Sequence, residues 1–435
     1  MNFARLARRL AALEIWFVAL LVAGSMLSNR LLPVALGVAL LFWAVRWAGS
    51  GRVSVRTPAD WPVALLALLV PVTLWASALP DTTTPQVYRL LTGVALYYAL
   101  ANWGNSPRRL RQAVTSVALA GLFLALSAPV SVQWSIGKLP FIPSGLYDRF
   151  TLLVSDTIHP NVLAGSLVIL LPPVLAGLLF DGRRMGWSWL ILGGLAALAM
   201  LGVLVLTQSR GAWMGLGAVL VALPALRWRR GWLALPLALA AVAGGVYWLG
   251  LERALDILAS SSTISGIDGR VEIWSRAVYM IQDFPFTGVG MGSYGDVADV
   301  LYPFFLAAPG SVPHAHNLFL QVAVDLGLPG LVAWLAVLFS GTLAAWQVYR
   351  AGRLSGRTLA AGLGAGLLCS QLALVVHGVT DAVTWGMVRP APLVWALWGL
   401  AVAGWNVYCL PQVVTGVANA RCAARPAAVP AQPVL

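Results

Sequence analysis

Runs of about 20 apolar residues constrain this chain more than any other feature. An α-helix of that length crosses a hydrocarbon core of about 30 Å with every backbone group bonded internally. Twelve such runs fall at 11–28, 31–48, 61–79, 85–102, 112–131, 160–180, 187–207, 212–226, 232–250, 328–349, 358–379 and 391–410. The eighth is short and the fourth contains Arg89. Of the 435 residues, 60% are hydrophobic and 10% charged, against about 25% charged in a soluble domain. The expected fold is an all-α polytopic membrane protein of about 12 transmembrane helices with a large, partly helical outer loop. Residues 1–250 would hold helices one to nine, and 251–327 the large loop, with short helices near 269–283 and 315–326. Residues 328–410 would hold helices ten to twelve, and 411–435 an Ala- and Pro-rich disordered tail. The basic start MNFARLARRL, followed at once by two apolar runs, reads as an uncleaved first membrane helix.

The positive charges orient the chain. The formal net charge is +13, and Lys138 is the single lysine. With the N-terminus in the cytoplasm, 19 arginines fall on the cytoplasmic side, 8 Lys or Arg fall outside, and Arg89 lies within a span. Both termini are then inside. The arginines are dispersed through short loops, which argues against nucleic acid and for membrane lipids or an anionic lipid-linked substrate. Cys369, Cys409 and Cys422 show no metal-ligand spacing.

The reactive groups gather on the outer side. His159, His314, His316 and His377 all fall there, with Arg210, Arg270, Arg276 and Asp381. Arg210 sits in a tight turn, Ser209-Arg210-Gly211, where a planar guanidinium can meet phosphate oxygens or anchor to lipid head groups. Arg270 opens an expected loop helix after Gly269, where it binds a ligand or forms a structural ion pair. His314 and His316 share a face only on an extended segment. No third ligand at metal spacing is visible and no Asp-x-Asp pair occurs, so the reading is metal-independent. A neutral imidazole at His316 can take a proton from a sugar hydroxyl. His377 and Asp381, four apart, would share a helix face. Gly288-Val289-Gly290-Met291-Gly292 lacks the context of a nucleotide loop and reads as a turn bringing backbone near a glycan or lipid head. Arg89, His159, Arg276, His314, Asn317, His377 and Asp381 are the candidate substrate-binding residues.

Several segments together resemble the O-antigen ligase and polymerase superfamily of bacterial envelope glycosyltransferases. They are Ser209-Arg210-Gly211, Gly269-Arg270 with Phe284-Pro285 and Gly288-Val289-Gly290, and His316-Asn317 followed by Gly327-Leu328-Pro329-Gly330. His159-Pro160-Asn161 is similar to the family's Asn-Pro-Asn segment, with histidine first, and Asp381 stands at the place of its late acidic residue. The resemblance implies a GT-C-like, metal-independent, inverting glycosyltransferase in the bacterial inner membrane, with its active site facing the periplasm. It implies an undecaprenyl diphosphate-linked glycan as donor, lipid A-core as acceptor, and no cofactor. Arg210 and Arg270 would hold the diphosphate, and His316 would activate the acceptor or help bind diphosphate. A ligase is the leading expectation. A polymerase of O-antigen or exopolysaccharide, a protein O-oligosaccharyltransferase and a lipid-glycan transporter are the alternatives.

Overall fold

The computed structural model describes residues 3–25, 28–134, 143–153, 157–251, 267–386 and 388–410. The tail expected to be disordered, 411–435, lies outside the described residues, as do Lys138 and Arg253. Most of the described residues are helical. Among the described residues no strand forms, and one isolated bridge joins Val132 to Ile158.

Fifteen α-helices are described: α1 (Phe3–Ala11), α2 (Glu14–Ser25), α3 (Leu31–Ser50), α4 (Asp60–Ala76), α5 (Pro80–Trp103), α6 (Pro107–Ser131), α7 (Pro160–Met185), α8 (Trp187–Leu206), α9 (Arg210–Arg227), α10 (Ala234–Leu249), α11 (Ile267–Asp283), α12 (Tyr294–Leu301), α13 (Leu318–Ser355), α14 (Thr358–Thr380) and α15 (Pro392–Tyr408). Each expected span falls on one of them. Seven described helical segments are long and apolar enough to cross a membrane. The others are shorter, as α2 and α15 are, or carry charge, as α5 does with Asp81 and Arg89. The protein is an all-α polytopic membrane protein, and the count of twelve crossings stays an expectation.

The core gathers around α14, which packs between α7, α9 and α13. Its sequence, TLAAGLGAGLLCSQLALVVHGVT, is rich in small residues. Small faces let helix backbones approach closely where lipid gives no hydrophobic drive between helices. A methyl group at Gly364 would lie 2.3 Å from the Tyr349 backbone nitrogen, and one at Gly366 would lie 2.7 Å from Pro173 Cα. Cys369 and Cys409 are buried free thiols.

The large loop before α13 is described from Ile267 onward. Ile273, Ala277, Met280, Val289, Tyr294, Ala298, Val312 and Ala315 form a small core of their own that closes on Val324 of α13. The loop contains α12, which hydropathy alone does not mark. The expected helix at 315–326 and the expected tenth span are one element, α13, bent at Gly327, whose φ of 71° and ψ of 179° are non-helical. A side chain there would meet Phe286 and Pro285 backbone atoms at 2.7–2.8 Å, so the Gly-Leu-Pro-Gly sequence is what lets the helix turn under the loop.

The glycine run at 288–292 brings backbone against the protein itself, not against an open groove. A Cβ at Gly288 would lie 2.5 Å from Val324 O, one at Gly290 2.6 Å from Ser77, and one at Gly292 1.6 Å from Gln86. Asp325, fully buried, accepts from Gly292 N–H (3.0 Å), Gln321 Nε2 (2.9 Å) and Trp385 Nε1 (2.7 Å). This carboxylate ties the glycine run to the helix that follows His316, a role its place in an apolar run does not advertise.

Candidate active site

The N-termini of α7, α9 and α13 meet at the C-terminal end of α14. Asn161, in the first turn of α7, donates from Nδ2 to Asp381 Oδ2 (3.0 Å). Gly211, second in α9, packs directly on α14: a Cβ there would lie 2.2 Å from Thr380 Oγ1 and 2.9 Å from His377 Cδ2. Asn317 caps α13 by accepting from Phe319 N–H (3.0 Å) and Leu320 N–H (3.1 Å), and it donates to Val379 O (3.1 Å). Each helix N-terminus carries roughly half a positive charge on its unbonded N–H groups. Three of them at one point make an electropositive floor.

His314 and His316 lie together, with ring centroids 4.1 Å apart. His314 Nδ1 accepts from His316 N–H (3.1 Å), which fixes the segment between them. Both face Asp381: His314 Nε2 is 3.8 Å and His316 Nδ1 3.6 Å from its Oδ1. These are electrostatic contacts, longer than hydrogen bonds. His316 has φ +44° and Gln208, two residues before Arg210, has φ +51°. Left-handed conformations are rare for such residues and collect at functional sites. Gln208 is held by its Nε2 donating to Tyr147 Oη (2.8 Å), and Tyr147 in turn donates to Leu206 O (2.7 Å). Tyr147, in the segment between α6 and α7, therefore braces the turn that presents Arg210.

Asp381 does not share a helix face with His377, as its spacing predicts. It has left the helix, at φ −158°, and its N–H donates to His377 O (3.0 Å). Leaving the helix frees its carboxylate to reach Asn161 and Ala382 N–H (2.8 Å). His377 is buried beneath, and its Nε2 has no hydrogen-bond partner among the described residues. Arg270, half-buried, donates to Thr380 O at the α14 C-terminus, where a cation is favoured. It lies close enough to feel both Asp381 and Arg210.

The charges follow from these neighbours. Burial pushes the Asp381 carboxyl up, but the imidazoles of His316, His314 and His377 outweigh it and hold it well below the usual carboxylate range. His314 is pushed down to about 3, chiefly by burial and then by His316, against the pull of Asp381. It is a neutral imidazole at physiological pH. Burial also lowers Arg270, opposed by Asp381 and reinforced by Arg210; a guanidinium keeps its charge regardless.

A third ligand does stand beside the two histidines: one ligating atom each from His314, His316 and Asp381 lie within 4.8 Å of one another, a spacing a divalent ion could use. Asp381 is 65 residues beyond His316, so chain spacing cannot reveal it. Against a cation stand Arg270, Arg210 and the three helix N-termini, which favour an anion.

The other candidates divide. His159 caps α7 by accepting from Asn161 N–H (3.2 Å) and is exposed beside the cluster, within electrostatic reach of His314. Asn317 spends its side chain on capping and tethering. Arg276 is used inside the loop: it pairs with Glu272 (3.2 Å), donates to Pro303 O (3.1 and 3.2 Å) and lies 5.2 Å over the Phe305 ring. The structural ion pair of this helix is thus Glu272–Arg276 and does not involve Arg270. Arg89 donates to Gly386 O (3.0 Å) and Asn29 Oδ1 (2.8 Å), joining α5 to the segment after α14. Glu14, the other buried charge among the apolar runs, pairs with Arg46 at 2.6 Å.

Residues 195–335 match the family model described as O-antigen ligase. No curated protein matches the chain. The matched segment contains Arg210, Arg270, His316 and the Gly327–Gly330 bend, and stops short of His377 and Asp381. It supports ligase- or polymerase-type glycan transfer, with lipid-linked glycan and lipid A-core as partners in general. With those residues inside the match, this segment is similar to the O-antigen ligase family, which supports that superfamily for the chain.

Proposed function

We propose that this chain is an O-antigen ligase. It transfers a glycan from undecaprenyl diphosphate to a hydroxyl of lipid A-core, with inversion and without a metal, at the periplasmic face of the bacterial inner membrane. The arginine bias supports a membrane orientation with both termini cytoplasmic. One observation carries the chemistry: Arg210, Arg270, His316 and Asp381 converge where three helix N-termini meet.

The diphosphate sits against Arg210, Arg270 and the helix N-termini, whose donors are in place before charge develops. The acceptor hydroxyl oxygen attacks the anomeric carbon and gives its proton to His316 Nε2. The anomeric carbon–oxygen bond breaks, and its electron pair stays on the diphosphate oxygen between the two arginines. Asp381, on the Nδ1 side of His316, orients the ring and balances the imidazolium that forms. Neutral His314 shapes this wall without adding a positive charge, and His377 is buried beneath it.

The test is transfer by the purified full-length chain in EDTA, offered undecaprenyl diphosphate-linked glycan with lipid A-core. A lipid A-core glycoside is the expected product. Lengthened lipid-linked glycan alone would make the chain a polymerase. Movement of donor across vesicles without any glycosidic product would make it a transporter. Glycan found on serine of an added protein acceptor would make it a protein O-oligosaccharyltransferase. Activity lost in EDTA and restored by a divalent ion would assign the His314, His316 and Asp381 cluster to a metal.

A further inference from the structure

At the other end of α7 and α8 from the Arg–His site lies a cleft of about 680 Å³ between α6, α8 and the end of α7. α8 has 20 residues, so about 30 Å of helix separates the two ends, the thickness of a hydrocarbon core. Arg108 and Arg111 from α6 and Arg184 from α7 line it. Ser188, in the first turn of α8, lines it too, and the N-cap of α8 is Gly186, which has no side chain to satisfy the first N–H groups. Its apolar wall includes Trp16 and Trp189. Asp181, which does not line the cleft, lies 3.7 Å from Arg111 and accepts from Thr358. Among the described residues, the lining holds three guanidinium groups and no carboxylate, so the cleft is cationic. Arginines spread over a cytoplasmic surface would satisfy topology alone. Here they stand around one hollow with a helix N-terminus on its rim and tryptophans on its wall.

We propose that this cleft binds an anionic phospholipid of the leaflet opposite the Arg–His site. Its phosphate sits among the three arginines and the start of α8, and an acyl chain runs along Trp16 and Trp189. A basic pocket between helices at a membrane border, rimmed by aromatic side chains, has the chemistry of a lipid head group and tail together.

Native mass spectrometry of the purified full-length chain, delipidated and then given phosphatidylglycerol or phosphatidylcholine, tests this. The wild type is expected to retain phosphatidylglycerol over phosphatidylcholine. Affinity is expected to fall about fivefold for each arginine removed, in Arg108→Gln with Arg184→Gln. It should hold in Arg229→Gln with Arg230→Gln, an exposed pair beyond α9. If the double variant fails to fold, Arg108→Gln alone, at an exposed position, carries the same reading. Equal retention of the two lipids would overturn the proposal, as would unchanged retention in the cleft variants. Preferential displacement of phosphatidylglycerol by undecaprenyl diphosphate would give the cleft to the carrier lipid and overturn it as well.

Discussion

Replacing Asp381 by asparagine isolates the charge that the proposed mechanism places behind His316. The shape is nearly kept, and the Ala382 N–H can still donate to the side-chain oxygen. What is lost is a negative charge 3.6 Å from His316 Nδ1. At an effective dielectric of about 20, a charge pair at that distance is worth about 4–5 kcal/mol. His316 is 28% exposed, so water screens part of it, and about 2 kcal/mol is the working figure. Because the imidazolium forms during the reaction, that energy should appear in the barrier, slowing kcat about thirtyfold. KM for the donor should change little, since Arg210 and Arg270 remain. Asparagine also turns its amide nitrogen toward Asn161 Nδ2, a donor facing a donor, so thermal unfolding must be followed alongside. Asp381→Glu, which restores the charge, should recover part of the rate. A folded Asp381→Asn enzyme with kcat within about threefold of wild type would refute the role given to this carboxylate.

Gly211→Ala should destabilise the protein by about 1–3 kcal/mol, the usual cost of overpacking, because the new methyl would meet Thr380 Oγ1 and His377. A second change, Thr380→Ala, should return part of that loss in a double-mutant cycle read by thermal unfolding. His314 favours the neutral form when folded, so its contribution to stability is present above its unfolded value near 6.5 and is lost as pH falls from there toward about 3. Unfolding between pH 7 and 5 should therefore shift further for wild type than for His314→Gln; the depressed Asp381 contributes nothing in that window, because its own loss comes only below the ordinary carboxylate value. Arg276→Ala should leave donor KM unchanged and should increase proteolysis of the outer loop, because Arg276 binds Glu272, Pro303 and Phe305.

The helices were legible because hydrophobic runs of membrane length carry their own signal. The helix at 267–283 came within two residues of its expected start. The bend at Gly327 was hidden inside a recognised motif: glycine marks the position, but the close passage of Phe286 beneath it is a tertiary fact. The same holds for Gly288, Gly290 and Gly292, where a glycine run promises a close approach without saying to what. Arg210, Arg270 and His316 could be nominated from the chain, yet their meeting depends on α7, α9 and α13 all starting at the end of α14. Asn161 was visible only as part of His159-Pro160-Asn161, and its bond to Asp381 spans 220 positions. Asp381 was expected on a helix face, and the break after Thr380 moved it toward the histidines. Asp325 had no sequence signal beyond being a carboxylate in an apolar run, which is reason enough to ask what bonds it.

The most direct test of the central claim separates donor binding from transfer in one variant. His316→Ala, purified and reconstituted, should still bind undecaprenyl diphosphate-linked glycan, because Arg210, Arg270 and the helix N-termini remain, and should form no glycoside with lipid A-core above background. Transfer by His316→Ala at the wild-type rate would contradict the account, and so would loss of donor binding with the fold intact, which would make His316 a diphosphate ligand instead of the base.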